Sequence, residues 1–418
     1  MNRKYDVVVL GAGPAGLGAA LGALDAGAED VLILERDEEP GGILRQCIHA
    51  GFGLHYFKEE LTGPEYGERF VTKVLEHDVD LAPNSYAIGL AVDSDGTKEV
   101  RVLSEKAGIT TVECASVVLA MGCRERTRGA IRIPGTRPSG IYTAGLAQKF
   151  VNMMGYLPGR RIAILGSGDI GLIMARRLVL EGCEVVGVFE ILPYSNGLTR
   201  NVVQCLDDFN IPLHLSTTVT YIHGRDRVEG VTVSPVDEHL KPIAGKSWDV
   251  DCDTLLLSIG LIPENELTRS MGANLDVVTG GPIVSSTLET SLPGVFASGN
   301  VLHVHDLADF VTEEALRGGA FAGEWARGIR RPRDTIHLVA GNNVAYCVPK
   351  TLSPDRMQVI YMRCKQRMQP ARLRVGELLE RKLKFVVPAE MISLKIRPAL
   401  LEKFHGDRLV IDIVPEGS

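Results

Sequence analysis

The sequence predicts an α/β protein in which a strand–turn–helix–strand unit occurs twice and a small β-rich module follows. Three observations carry this expectation. A β-branched run at Tyr5–Leu10 leads into a glycine turn and an Ala/Leu-rich helical stretch. The same pattern returns from Arg161 to Glu190, and beyond Arg330 short apolar runs alternate with prolines. At 418 residues, of which 45 are glycine, 45% hydrophobic and 23% charged, the chain has room for two or three domains with tight turns.

Several function classes are excluded by composition. A net charge of −7 gives no broad basic field for nucleic acid. The stretch from Val7 to Leu24 is uncharged, but Pro14 and repeated glycines make it a strand, turn and helix, so no integral membrane segment is expected. No basic, apolar leader stands ahead of Tyr5, and a cytoplasmic protein is the expectation. The eight cysteines include no C-x-x-C, so neither a metal site nor a disulfide framework is predicted.

In the first unit, Gly11, Gly13 and Gly16 form a G-x-G-x-x-G turn. Gly11 permits the tight turn, Gly13 lets backbone approach a pyrophosphate, and Gly16 lets helix and strand pack closely. The helix N-terminus offers its unpaired N–H groups to the phosphates. The second strand, Val31–Leu34, ends at Glu35, nineteen residues after Gly16, where a carboxylate can accept from ribose hydroxyls. A Gly41–Gly42 pair and a helical pattern over Ile43–Ile48 follow.

The second unit repeats the design with Gly166, Gly168 and Gly171, and its second strand ends at Glu190, again nineteen residues after the third glycine. An acid there favours the free ribose hydroxyl of NAD(H), and residues 191–195 contain no Arg for the 2′-phosphate of NADP. Asp169 adds a negative charge beside the expected pyrophosphate. A vestigial second site, or one adapted to another nucleotide, remains an alternative.

GAGPAG, Glu35, the Gly41–Gly42 pair, LAMG (Leu119–Gly122) and GVFASGN (Gly294–Asn300) resemble, in order, the FAD-domain motifs of the pyridine nucleotide-disulfide oxidoreductase superfamily over roughly residues 4–328. The resemblance implies two nested Rossmann-type domains with FAD in the first and NAD(H) in the second. It places Ala120, Met121 and Gly122 near the flavin, and Gly299 and Asn300 at the ribityl chain and pyrophosphate. DTLLLSIGLIPEN, with Gly260, resembles the strand that returns the chain to the FAD domain. The expected domains are therefore 1–157 with 259–330 for FAD, an inserted 158–258 for NAD, and 331–418. A helix beginning near Thr312 is expected to point its positive end at the flavin, with Val311 and Thr312 in contact. Met121 stands where the family usually has Thr, Asn300 where it has Asp, and Ile173 where it often has Glu.

Cys47 lies in GGILRQCIHAGFG, where disulfide reductases of the superfamily carry a C-x4-C pair, and one thiol cannot form that disulfide. The His-Pro pair of those reductases is also missing, since His405 is followed by Gly406. Cys47, with His49 nearby, could act through a sulfenic acid or mixed disulfide, or could simply pack near the flavin. GGILRQCIHAGFGLHYFKEELTGPEY, GCRERTRGAIRIPGTRPSGIYTAG and GSGDIGLIMARRL resemble more narrowly the FAD-dependent oxidoreductases associated with anaerobic-type glycerol-3-phosphate dehydrogenases, akin to nucleotide-binding subunits of amino acid and opine dehydrogenase complexes.

Residues 331–418 hold 16 Lys/Arg against 9 Asp/Glu, a balance of +7 that leaves −14 for the rest. Strands are predicted at Met357–Met362, Lys384–Val387, Met391–Ile396 and Leu409–Val414. Arg363, Lys365 and Arg367 are candidates for docking an acidic partner. The expected function is hydride transfer between NAD(H) and flavin. The other half-reaction would involve a small-molecule substrate or a partner dehydrogenase subunit, with a homo- or hetero-oligomeric assembly open. The competing classes are a thiol-dependent peroxide or disulfide reductase, a subunit that only relays electrons, and a non-catalytic nucleotide-binding subunit.

Overall fold

The computed structural model describes residues 4–93 and 96–416. The chain divides into two compact units, Met1–Cys123 with Pro263–Ser418, and Arg124–Ile262. No helix among the described residues is long and apolar enough to cross a membrane.

The first unit is built on a seven-stranded sheet. Val79–Ala82, Val31–Leu34, Lys4–Leu10 and the end of Gly108–Leu119 run parallel, with Val295–Ala297 on the far side. Val7, Val8 and Val9 are all fully buried, as parallel strands covered on both faces must be. The beginning of the long Gly108–Leu119 strand pairs antiparallel with Lys98–Ser104, which pairs with Ser85–Val92. One strand thus serves both the parallel sheet and a meander.

Two helices pack against each other on this sheet, Pro14–Asp25 and Ala308–Ala326. Small residues line the seam so closely that a Cβ built on Gly22 would fall 2.0 Å from Leu316 O, and one on Gly319 would fall 1.9 Å from Ala19 O. Only hydrogen fits at either position. The Ala308–Ala326 helix begins four residues before the expected Thr312, because Asp309 starts it by bonding the 53–56 loop.

After Arg330 the chain forms a five-stranded sheet, ordered Thr351–Leu352, Ile336–Ala340, Arg408–Pro415, Ala371–Val375, Leu379–Leu383, and a three-stranded sheet of Val344–Val348, Gln358–Cys364 and Ile392–Ile396. Three expected strands lie here, but Lys384–Val387 is not one: the strand is Leu379–Leu383, and Val386 makes only an isolated bridge to Met368. Tyr346 and Val348 join the same buried cluster as Val8, Leu10 and Val117, so this module shares a core with the sheet before it.

The second unit has a fully parallel five-stranded sheet: Ile141–Thr143, Thr254–Leu257, Arg161–Leu165, Glu184–Phe189, Leu213–His214. Thr217–His223, Gly230–Pro235 and Trp248–Asp251 form an antiparallel sheet of their own in the same unit.

Candidate functional site

The first glycine turn sits where the Lys4–Leu10 strand meets the Pro14–Asp25 helix. Gly13 caps the helix without a side-chain bond, Pro14 opens it, and its first turn holds no acid, which leaves backbone N–H groups to an anion. A Cβ on Gly16 would lie 1.7 Å from Gly11 O, and one on Gly42 would lie 3.0 Å from Gly13 Cα. The Gly41–Gly42 turn is held there by Gly41 N–H donating to Ala12 O at 2.8 Å. Ala120 closes the other side, its N–H bonded to Leu10 O at 3.0 Å, and Met121 and Gly122 continue from it.

Glu35 is buried and braces this turn: one carboxylate oxygen accepts from Ala12 N–H at 2.7 Å, the other from Asp37 N–H at 2.9 Å. In the second unit Glu190 does the same, accepting from Ser167 N–H at 2.9 Å and Ser167 Oγ at 2.6 Å on one oxygen and from Leu192 N–H at 2.9 Å on the other. The internal repeat therefore extends from residue spacing to hydrogen bonding. Gly171 is held by its N–H donating to Ser258 Oγ at 3.1 Å, and Gly166 and Gly168 also lie against Ser258. Gly260 lies two residues further on, in open surroundings near Arg126.

Asp169, in the first turn of the Asp169–Leu180 helix, turns its carboxylate to Leu198 N–H at 2.8 Å and Asn201 Nδ2 at 2.6 Å. Asn196 N–H donates to Ser167 Oγ at 2.8 Å, so the 192–198 segment is anchored on the second glycine turn. Asp169 thereby serves a loop rather than standing open toward a pyrophosphate. Ile173 is half-buried on the same helix.

Gly299 and Asn300 follow the Val295–Ala297 strand. Gly299 has φ +75, and a Cβ there would lie 2.8 Å from Ala15 Cβ, so the turn rests on the first helix through a residue that must be glycine. Its N–H donates to Glu314 Oε1 at 2.7 Å. Asn300 Oδ1 accepts from His305 N–H at 3.0 Å, and its Nδ2 donates to Cys123 Sγ at 3.4 Å. Val311 packs against Gly299. Thr312 corrects the expectation of a helix-end contact: it is fully buried one turn inside the helix, its hydroxyl accepting from Tyr66 OH at 2.9 Å. The first turn instead carries Asp309, whose carboxylate accepts from Gly53 N–H at 3.2 Å and Tyr56 N–H at 2.8 Å and offsets the positive helix end.

Cys47 is buried, its Sγ donating to Ile43 O at 3.3 Å, and burial pushes the thiol up to about 12. Such a thiol is protonated at neutral pH and is a poor nucleophile. His49 Nδ1 faces Ala50 O at 3.0 Å, and its ring tilts on Phe52. Ile43–Ile48 is a short 3-10 helix, Gly42–Gln46, rather than an α-helix. All eight cysteines are thiols, and Cys123, at the Asn300 turn, is the one not buried.

Arg363 is not a docking residue. Only 16% of its side chain is exposed, and it pairs with Asp306 while donating to Val304 O, Pro388 O and Tyr346 Oη. Lys365 and Arg367 are exposed.

Three features escaped the sequence reading. Ser258 had a signal, because LSIG at Leu257–Gly260 repeats LAMG at Leu119–Gly122, and each ends the strand beside its glycine turn. The buried group His303, His305 and Glu314 shows itself only as an H-x-H near a helix of unknown start. Cys123 is adjacent in sequence to the expected Gly122.

The sequence pattern of the pyridine nucleotide-disulphide oxidoreductase family matches residues 5–316. The chain is 26% identical over 339 residues to hydrogen cyanide synthase subunit HcnB of Pseudomonas protegens, covering 76% of this chain and 68% of that protein. It is 25% identical to an opine oxidase subunit of Rhizobium meliloti, covering 72% of this chain and 59% of the other, so it spans about three-fifths of that relative's length. Among solved structures, the T. acidophilum thioredoxin reductase superposes with a TM-score of 0.64 at 22% identity, over 78% of this chain and 100% of that one. The match of most of the chain to one family, on a fold of two dinucleotide-binding units, shows that the chain belongs to the pyridine nucleotide-disulphide oxidoreductase family, flavoprotein oxidoreductases that use FAD and NAD(P)H.

Proposed function

We propose that the chain is an FAD-dependent oxidoreductase in which hydride passes between NAD(H), held by the second unit, and FAD, held by the first, within a larger dehydrogenase complex. One observation carries this reading: Glu35 and Glu190 brace their glycine turns with the same pair of backbone bonds. Two dinucleotide sites account for the construction being made twice.

The residues of the first unit fit FAD. The helix N-terminus has no side-chain cap and no acid in its first turn, and among the described residues beyond Gly13's own chain neighbours only Gly42 Cα comes within 4.0 Å of where a Gly13 Cβ would be. Gly11, Gly13, Gly16, Gly41 and Gly42 would hold the pyrophosphate, Glu35 the ribose, and Ala120, Met121, Gly122, Gly299 and Asn300 the flavin and ribityl end. Gly166, Gly168, Gly171, Glu190 and Gly260 would hold NAD(H), with Glu190 disfavouring a 2′-phosphate. Bound FAD would supply the two-electron chemistry. The chain's contribution is to fix the turns and the charges around them.

The subunit reading is supported by the likeness to HcnB and to the opine oxidase protein, each named as one subunit of its enzyme, and by the basic excess after Arg330. A thiol mechanism at Cys47 is disfavoured by its burial and raised pKa. A nucleotide-binding subunit with an inactive second site is favoured by the 192–198 segment bonded across the second glycine turn.

Anaerobic titration of the FAD-loaded chain with NADH and NADPH separates these readings. The expected result is bleaching of the flavin by NADH at least tenfold more efficiently than by NADPH, about 1.4 kcal/mol of discrimination. Bleaching by neither supports the inactive second site, and preference for NADPH sinks the assignment of Glu190.

A further inference from the structure

The side chains of His303, His305 and Glu314 are 0% exposed. Glu314 Oε2 faces His303 Nε2 at 2.9 Å, and Oε1 faces His305 Nε2 at 3.2 Å while also accepting from Gly299 N–H. Burial raises the Glu314 pKa, but the two imidazoles and their bonds outweigh it and hold the carboxyl well below the usual range. Burial, together with His305, drives His303 down to about 4. The group is therefore one carboxylate anion facing the Nε2 atoms of two buried imidazoles. Their Nδ1 atoms are buried without a hydrogen-bond partner.

A metal ion fits these donors less well. Each carboxylate oxygen faces its own imidazole at hydrogen-bond distance, the Nδ1 atoms lack the acceptors that metal-bound imidazoles use, and the Arg363 cation bears on His303.

The bonds from this group run directly to the turn assigned to the flavin end. Glu314 holds Gly299 N–H, and the His305 N–H holds the Asn300 amide. Asn300 carries no charge of its own, so the anion stands one residue layer behind it. We propose that Glu314, clasped by His303 and His305, is the positioning residue of the Gly299–Asn300 turn and sets the negative charge that bound FAD experiences there. This inference rests on FAD occupying the first unit.

The test is the two-electron midpoint potential of the FAD-loaded chain, measured by anaerobic dye-coupled titration. A nearby anion opposes the gain of electrons, so Glu314→Gln raises the potential by at least about 30 mV, a tenfold change in the ratio of affinities for reduced and oxidised flavin. Asn300→Asp lowers it, and the double variant returns toward the parent value. An unchanged or lowered potential in FAD-loaded Glu314→Gln overturns the proposal, because a purely structural role would not move the potential in this direction. Should circular dichroism show that variant unfolded, His305→Leu, which keeps the charge and removes a donor, shifts the potential downward, and no shift there overturns the proposal equally. A parent chain that takes up no FAD instead sinks the cofactor reading, and this inference with it.

Discussion

Replacing Gly319 with Ala tests whether the seam between the Pro14–Asp25 and Ala308–Ala326 helices is as tight as it reads. The new methyl would sit 1.9 Å from Ala19 O and 2.6 Å from its carbonyl carbon, both backbone atoms that no rotamer change can move. Overpacking of this kind costs about 1–3 kcal/mol, and a contact with backbone belongs at the upper end. The Gly-to-Ala change returns about 0.5–1 kcal/mol through helix propensity, for a net loss of about 2 kcal/mol. At roughly 2–4 °C per kcal/mol for domains of 150–250 residues, the melting temperature should fall by about 4–8 °C. Gly67 supplies the matched control, since it is also helical but its new methyl would meet nothing nearer than Leu44 side-chain carbons at 3.6 Å. Gly67→Ala should therefore be neutral or raise the melting temperature. Differential scanning calorimetry of the three proteins, with and without added FAD, reads both effects. A Gly319→Ala protein that melts at or above the parent refutes the packing argument, and FAD release should track its loss, because Glu314 and Thr312 ride on the displaced helix.

The other predictions concern chemistry and charge. Cys47→Ala should leave NADH-driven bleaching within about twofold of the parent, since its thiol is held protonated near a pKa of 12; stopped-flow rates tenfold lower would restore the thiol reading. Arg363→Ala leaves the mostly buried Asp306 without its cation, with Met391 N–H still donating to it, and should cost roughly 3 kcal/mol in urea unfolding, whereas exposed Lys365→Glu should shift the midpoint little; equal effects would mean Arg363 is not interior. His303, facing Glu314, His305, Tyr346, Tyr361 and Arg363, has its pKa lowered on folding to about 4 from 6.5. The unfolded chain then binds the extra proton, so stability is full above pH 6.5 and declines as pH falls toward 4. Urea midpoints between those limits should fall less steeply in His303→Gln, and an identical slope would count against a buried neutral imidazole.

The glycine turns were legible because backbone geometry dictates the residue: few alternatives satisfy a positive φ or an approach that excludes a Cβ. Strands such as Val31–Leu34 and Arg161–Leu165 also lay where the β-branched runs placed them. Leu379–Leu383 was missed because its LERKL carries three charges in a row on a mostly exposed edge strand, and hydrophobic pattern has nothing to report there. Arg363 misled for the opposite reason, its charge suggesting surface while its strand is buried on both sides of it. The start of the Ala308–Ala326 helix depends on Asp309 bonding Gly53 and Tyr56, a contact between distant segments that no local window contains. With that start misplaced, Glu314 could not be paired with His303 and His305.

The close helix seam also orders events during synthesis. The turn at Gly11–Gly16 is made before the second unit, yet the helix that backs it ends at Ala326, after the whole of that unit has been made. Contacts this distant form late, while the second unit, closed within Arg124–Ile262, can assemble from its own segment. Closing the seam is therefore a finishing step: a ribosome stalled before residue 308 carries a glycine turn that has no partner helix to hold it in shape.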